Sequence, residues 1–390
     1  DAVADQTVSV DTTDDDVAGF TIVELDGATE VDESGTTDTF TVVLDAQPSD
    51  NVVIAMSSSD IGEATISGTI SFTPANWDTP QTVTVTGVDE NTIDGDQTST
   101  ITITIVDSIS DSDFSNVADQ TVSVVTTDDD VAGFSIVELD GSTEVDESGT
   151  TDTFNVVLDA QPTSDVVLTI TSDDTGEATV NSPLTFTPAN WDTPQTVTVT
   201  GVDEDIVDGT ITSTITIAVD DANSDDDFDG AADQTVSADT LDDDVAGFTI
   251  VELDGATEVT EAGSTDTFTV VLDAQPTSDV VLTVTSDDTS EATVNNPLTF
   301  TPVNWDTPQT VTVTGADDSI IDGTVTSSIT VAVVAITSDD NFDAVADQTV
   351  SVDTTDDDVA GFTIVELEGA TEVTEAGSTD TFTVVLDAQP

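Results

Sequence analysis

Asp128-Asp129-Asp130-Val131-Ala132-Gly133-Phe134 is the stretch on which the reading of this chain turns. Three carboxylates run straight into an apolar step, a glycine and an aromatic. The same pattern occupies Asp14–Phe20, Asp242–Phe248 and Asp356–Phe362, so Gly19, Gly133, Gly247 and Gly361 recur every 114 residues. Adjacent aspartates repel one another and resist burial unless positive charge lies between them. The chain contains no lysine, arginine or histidine to provide that charge. The triplets therefore read as the closing elements of cation sites, placed where one domain hands over to the next.

A period of 114 residues exceeds the usual solenoid unit and suits a whole small domain. Trp77, Trp191 and Trp305 keep the same interval, each within Asn-Trp-Asp-Thr-Pro-Gln-Thr-Val-Thr-Val-Thr-Gly. The chain divides into a C-terminal strand of a preceding repeat (1–16), full repeats at 17–130, 131–244 and 245–358, and the opening strands of a following repeat (359–390). It begins and stops inside repeats, as a window on a longer tandem array does. No low-complexity linker intervenes, so neighbouring domains are expected to abut.

Within a repeat the signal is alternation of apolar and polar residues. Phe20 and Ile22 open the first predicted strand, and Phe40, Val42 and Leu44 mark the second. Val52, Ile54 and Met56 mark the third, and Ile66, Ile70 and Phe72 a broken fourth. Val83 and Val85 mark the fifth, Ile101, Ile103 and Ile105 the sixth, and Val122 with Val124 the seventh. Threonines fill the alternate, solvent-facing positions, and no helical period is present. The expected fold is all-β: tandem seven-stranded Ig-like antiparallel β-sandwiches.

In such a sandwich alternate loops share a pole. The loops after the first, third and fifth predicted strands meet where the seventh strand exits, and acids concentrate there. The first repeat offers Glu33, Asp60, Glu63, Asp89, Glu90 and Asp94 with Asp128, Asp129 and Asp130. The second offers Asp146, Glu147, Asp173, Asp174, Glu177, Asp203, Glu204, Asp205 and Asp208 with Asp242, Asp243 and Asp244. The third offers Glu261, Asp288, Glu291, Asp317, Asp318 and Asp322 with Asp356, Asp357 and Asp358. Calcium takes six to eight oxygens in irregular geometry, which four acidic segments at one pole can provide. The opposite pole is acidic too, with Asp111 and Asp113, then Asp225, Asp226 and Asp227, then Asp339 and Asp340, and it faces the triplet of the preceding repeat. Screening over about 8 Å leaves repulsion between touching loops intact unless cations bridge them.

Acidic loops are also the ordinary solvated surface of a secreted β-protein, and a solitary triplet reads that way. Recurrence in phase with three other acidic loops favours ion binding. Trp77, Trp191 and Trp305 admit a carbohydrate-stacking role, but one per domain between proline-bounded turns favours a loop anchor. The recurring Asp-Gln-Thr-Val-Ser frame at 5, 119, 233 and 347 reads as entry to the seventh strand.

Composition narrows the function further. With 83 acids and no basic side chain, the formal charge of −83 excludes nucleic acid and disfavours anionic membrane surfaces. No side-chain salt bridge is possible. Without cysteine there are no disulfides, thiolate metal sites or thiol nucleophiles. Without histidine or lysine the usual general bases are missing, and no paired-carboxylate pocket stands out, so an enzyme is not expected. Neither a signal peptide nor an apolar run long enough to span a bilayer is present, so no direct membrane insertion is expected in this segment.

These residues resemble the Calx-beta domain. A glutamate-bearing first loop, an Asp/Glu cluster after the fifth strand and an Asp-Asp-Asp exit from the seventh carry the likeness, which covers each full repeat. It implies a seven-stranded sandwich binding Ca2+ at the interdomain end. Glu147, Asp203, Glu204, Asp208 and Asp242 to Asp244, with their counterparts one period away, would be calcium ligands. The loop Asp203-Glu204-Asp205-Ile206-Val207-Asp208-Gly209 lacks that family's later acidic–aromatic step, which leaves the number of ions open. Near-identical tandem copies resemble the stalks of large bacterial cell-surface adhesins more than an exchanger. The expected function is a non-catalytic extracellular region, a calcium-stiffened stalk or fibre segment whose partners are calcium ions, neighbouring repeats and, in a fibre or surface layer, identical chains. The alternative is a calcium-sensing regulatory array.

Overall fold

The computed structural model describes residues 3–25, 27–139, 141–253, 255–366 and 369–389. The fold is all-β, with only short 3-10 turns and no α-helix among the described residues, and no helix is long and apolar enough to cross a membrane. In the first repeat the strands are β1 (Phe20–Glu24), β2 (Thr29–Asp32), β3 (Thr37–Leu44), β4 (Val52–Ser58), β5 (Ala64–Ile66), β6 (Ile70–Phe72), β7 (Gln81–Gly87), β8 (Gln97–Ile105) and β9 (Gln120–Thr127). They form two sheets, β1-β3-β7-β5 and β2-β9-β8-β4-β6, and the second and third repeats repeat this order from Phe134 to Leu241 and from Phe248 to Thr355.

The expectation of seven strands is corrected to nine. The first predicted strand is two: β1 pairs with β3, then Gly27, with φ at +113°, turns the chain across so that β2 pairs in parallel with β9. The broken fourth strand also divides, β5 joining β7 in one sheet and β6 joining β4 in the other. Both edges thus change sheets, which alternation within a single strand does not register.

The alternation otherwise places the core. Val83 and Val85 on β7, Ile101 and Ile103 on β8, and Val122 and Val124 on β9 are buried between the sheets with Phe40 and Phe72. Burying each such side chain contributes roughly 1.5–3 kcal/mol. Phe114, Phe228 and Phe342 close one end of their cores from 3-10 turns in the β8–β9 loop and its equivalents. Trp77, Trp191 and Trp305 lie partly buried against the cores in the loop before β7 and its equivalents. The Trp77 carbonyl accepts a hydrogen bond from the Leu44 amide (3.2 Å). Gln120, from the Asp-Gln-Thr-Val-Ser frame, opens β9, and its Nε2 donates to the Phe20 carbonyl of the facing sheet (2.5 Å).

At the pole carrying the β3–β4 and β8–β9 loops, Asp111 is buried and fully used. Its Oδ2 accepts from Ser49 N (2.6 Å), Ser49 Oγ (2.8 Å) and Asp50 N (2.8 Å), and its Oδ1 from Asp113 N (3.0 Å). The Asp113 and Asp50 amides and the Ser49 hydroxyl hold its carboxyl down at about 2. Asp225 and Asp339 clasp the same loops in the next repeats.

Residues 3–19 carry no strand, whereas the equivalent Gln120–Thr127 is a strand because β2 and β8 flank it. At the other end Phe362–Glu366 pairs with Phe382–Leu386 as β1 pairs with β3.

Candidate metal centre

Strand register assembles the acidic pole. Asp32 of β2 lies opposite Thr127 of β9 in the parallel ladder, and the Glu33 amide donates to the Thr127 carbonyl (3.2 Å). The next residue on each chain is therefore an acid, Glu33 beside Asp128. Ala64 of β5 lies opposite Gly87 of β7, which sets Glu63 against the start of the β7–β8 loop, where the Val88 amide donates to its carbonyl (2.9 Å). The β7–β8 loop returns to β8, which pairs with β9, and so carries Glu90 and Asp94 to the same place.

The result is two carboxylate groups that share one residue. Glu33, Glu63, Glu90 and Asp94 offer oxygens within 4.8 Å of one another, and so do Glu33, Asp128 and Asp130. The second repeat has Glu147 with Glu177 and Glu204, and Glu147 with Asp242 and Asp244; the third has Glu261 with Asp318 and Asp358. Glu33, Glu147 and Glu261 are 0 %, 0 % and 1 % exposed, and neither carboxylate oxygen of any of them has a hydrogen-bond partner. Oxygens of Glu63, Asp130, Glu177, Glu204, Asp208, Asp244, Glu291 and Asp358 are likewise buried and unpartnered. A buried charge in that condition carries a penalty of several kcal/mol unless a counter-charge is present. The donors are all hard carboxylate oxygens, which fit a calcium-type cation and no thiolate- or imidazole-seeking metal.

The electrostatics agree. Desolvation, then the charges of Asp128, Glu63, Glu90 and Asp94, push Glu33 up to about 7. Desolvation and then Asp242 raise Glu147 to about 7, with the Asp243 amide easing this from outside hydrogen-bonding geometry. Glu204 and Glu261 reach about 7 by desolvation first and neighbouring carboxylates second. Desolvation, then Asp322 and Asp288, also raises Glu291.

Several residues expected in the sites do other work, in addition to membership of a group or in place of it. Asp128 staples the β7–β8 loop to the β9 exit: its Oδ2 accepts from Gly95 N (2.8 Å) and Asp94 N (3.2 Å), and its Oδ1 from Asp130 N (2.9 Å). Asp242 does the same with Asp208, Gly209 and Asp244, and Asp356 with Asp322, Gly323 and Asp358. The middle triplet residues Asp129, Asp243 and Asp357 are exposed and outside the groups, as are Asp89, Asp203 and Asp317. Asp60, Asp174 and Asp288 are exposed turn residues, each Oδ1 accepting from the amide two residues on.

Two features escaped sequence reasoning. Gly87, Gly201 and Gly315 end β7 and its equivalents directly beneath the first acidic loop. A Cβ at Gly201 would lie 2.2 Å from the Asp146 carbonyl, one residue before Glu147. The second is the apolar residue before each Asp-Gly: Ile93, Val207 and Ile321 sit in acidic loops yet reach the next repeat. Ile93 packs against the second repeat's core, and Val207, only 9 % exposed, belongs to the third repeat's core. The signal was present as a hydrophobe recurring in phase within a charged loop.

The opposite pole is less of an acidic partner than expected, because Asp111, Asp225 and Asp339 are buried and satisfied. Asp227 alone of that pole's shifted groups feels a triplet across a junction: desolvation, Asp225 and Asp226, then Asp128, raise it. Its counterpart Asn341 instead donates from Nδ2 to the Val207 carbonyl (2.6 Å).

No family model matches the chain, and no curated protein matches it. Among solved structures it is similar to the calcium binding domain CBD12 of CALX1.1 (15 % identity, 51 % of this chain and 80 % of that one, TM-score 0.23). It is also similar to an I-band fragment of titin (10 % identity, 88 % and 97 %, TM-score 0.28) and to domains 4 and 5 of the S-layer protein SbsC (19 % identity, 48 % and 76 %, TM-score 0.24). At these scores the likenesses carry no argument, and the Ig-like sandwich is assigned from the chain's own strand order.

Two outcomes test this geometry. Glu33, Glu147, Glu204 and Glu261 have folded values near 7 against an ordinary value of 4.5, so the folded, metal-free protein binds protons more tightly than the unfolded chain. Their contribution is fully present below about pH 4.5 and is lost as pH rises through about 7. In chelator, the urea midpoint is expected to fall across that window and to fall less with a divalent cation present; a flat or rising midpoint in chelator contradicts the assignment. Separately, Gly201→Ala removes no carboxylate but displaces the chain leading into Glu147, and should weaken cation affinity of the middle repeat by about 10–100-fold. Gly230→Ala, where a Cβ meets nothing within 4 Å, is the control, and titration calorimetry reads both.

Proposed function

We propose that this chain is a non-catalytic array of Calx-beta-like sandwiches that binds calcium at the acidic pole of each repeat and serves as a stiffened extracellular stalk or fibre segment of a bacterial surface protein. The observation that carries the reading is the glutamate at 33, 147 and 261, fully buried with both oxygens unpartnered in a chain that has no basic side chain. Only an exogenous cation can neutralise it without protonation. The two carboxylate groups meeting at Glu33, and again at Glu147, support a pair of calcium positions bridged by that glutamate. Loops converging from four segments suit calcium's variable coordination better than the octahedral, water-retaining preference of magnesium.

The work done is neutralisation and geometry. Calcium removes the repulsion among the loops, fixes the β7–β8 loop that touches the next repeat, and stabilises the folded state by mass action. A carboxylate group built on the same buried glutamate in every repeat supports a structural role over a tuned sensor. A domain with strands about eight residues long spans on the order of 40 Å with its loops, so several in line project a distal domain well away from a surface. The neighbours in such an array are the adjoining repeats and, where fibres or layers form, identical chains.

A calorimetric melt of the full chain in calcium, magnesium and chelator at matched ionic strength tests this. Calcium at about a hundredfold excess over its dissociation constant should add about 2.7 kcal/mol per site and raise the melting temperature, with little effect of magnesium. Identical melts in calcium and chelator would leave the acids as solubilising charge.

A further inference from the structure

We propose that each cation site is read by the repeat that follows it, and not by the one that precedes it, through a loop in which ligands and docking residues alternate, set beside the covalent exit that the Asp triplet forms into that repeat. The inference rests on the cation reading above. In the second repeat that loop is Asp203–Gly209, the equivalent of the β7–β8 loop. Glu204 turns into the carboxylate group with Glu147 and Glu177, and Asp208 lies in the same field. Between them Asp205, Ile206 and Val207 run along the third repeat. The Gln275 amide donates to the Asp205 carbonyl (2.6 Å) and the Val207 amide to the Gln275 carbonyl (3.0 Å), a parallel bridge between Ile206 and Gln275.

Val207 then enters the apolar core of the third repeat, lining a cleft with Asp244, Val245 and Ala246 of the chain's exit from the second repeat and with Asn341, Ala344 and Val345. The first junction is built alike: the Gln161 amide meets the Asn91 carbonyl (2.6 Å), and the Ile93 amide meets the Gln161 carbonyl (3.1 Å). The third repeat presents the same loop, the Ile321 amide donating to the Gln389 carbonyl (3.1 Å).

The coupling is one-way in space. Both carboxylate groups of the second repeat draw every oxygen from that repeat, and the first repeat touches the second at Gln161, on the opposite pole. Between Glu204 and Asp208 only three residues intervene, too few to order the ligands while the docking residues stay free. Fixing the carboxylates therefore fixes Val207 and the bridge to Gln275, and docking of the third repeat preorganises the second repeat's ligands. A tandem array so built stiffens from each repeat toward its C-terminal neighbour.

Hydrogen–deuterium exchange of the full chain, read by mass spectrometry in calcium and in chelator, tests this. Peptides 159–170 and 273–284 report the two junctions and differ at Ile170 and Val284. Calcium should slow exchange in both by about tenfold. The double variant Glu147→Gln/Glu177→Gln, which removes carboxylates of the second repeat's site and touches no residue of the junction cleft, should lose the slowing in 273–284 and keep it in 159–170. Val207→Ala, which removes no carboxylate, should lose protection in 273–284 and, by the same coupling, weaken calcium binding at the second repeat by about 5–10-fold without abolishing it; Asn341→Ala, which removes the bond to the Val207 carbonyl and adds no charge, should do both in part and covers the case in which Val207→Ala destabilises the third repeat. The proposal is overturned if calcium binds but protection in 273–284 survives loss of the second repeat's site, or if protection disappears from 159–170 instead. Absence of any calcium heat by titration overturns the cation reading itself, and this inference with it.

Discussion

A glutamate carboxylate held out of water with neither oxygen hydrogen-bonded is the constraint on which the acidic pole of each repeat depends. Glu33, Glu147 and Glu261 are in that state because a parallel pairing of β2 with β9, or its equivalent, ends one residue before them. The ladder that builds the sandwich edge also drives two carboxylates together. In most proteins a lysine or arginine would answer them. Here none exists, so the choice is protonation or a cation from outside, and desolvation with the neighbouring carboxylates pushes these glutamates up to about 7.

The two poles of one repeat solve the same problem differently. Asp111, equally buried, is surrounded by main-chain and side-chain donors and stays ionised with a lowered value of about 2. It is a structural clasp and needs nothing further. The glutamate pole has its donors spent elsewhere: the amides of Gly95 and Asp130 go to Asp128, which organises the loop without relieving Glu33. Donor supply, and not acid content, separates the clasp from the cation site.

Much of this was legible in the sequence. The 114-residue period, the sandwich class and the convergence of Glu33, Glu63, Glu90, Asp94, Asp128 and Asp130 on one pole follow from alternation and loop parity. What was not legible depends on register and side-chain direction. Spacing could not say that Asp128 is stapled while Asp129 faces solvent, or that Asp60 caps its own turn. It could not show β1 and β2 parting to opposite sheets, since each half alternates correctly on its own. Ile93 and Val207 read as incidental hydrophobes in a charged loop because the surface they enter belongs to another repeat.

The most direct test of the central claim is an anomalous-scattering map from crystals grown in calcium. The account requires calcium peaks on both sides of the Glu147 carboxylate, each with a Glu147 oxygen at about 2.3–2.6 Å, one toward Glu177 and Glu204 and one toward Asp242 and Asp244. A map with no peak within coordinating distance of Glu147 at saturating calcium, its carboxyl sitting protonated among its neighbours, would contradict it.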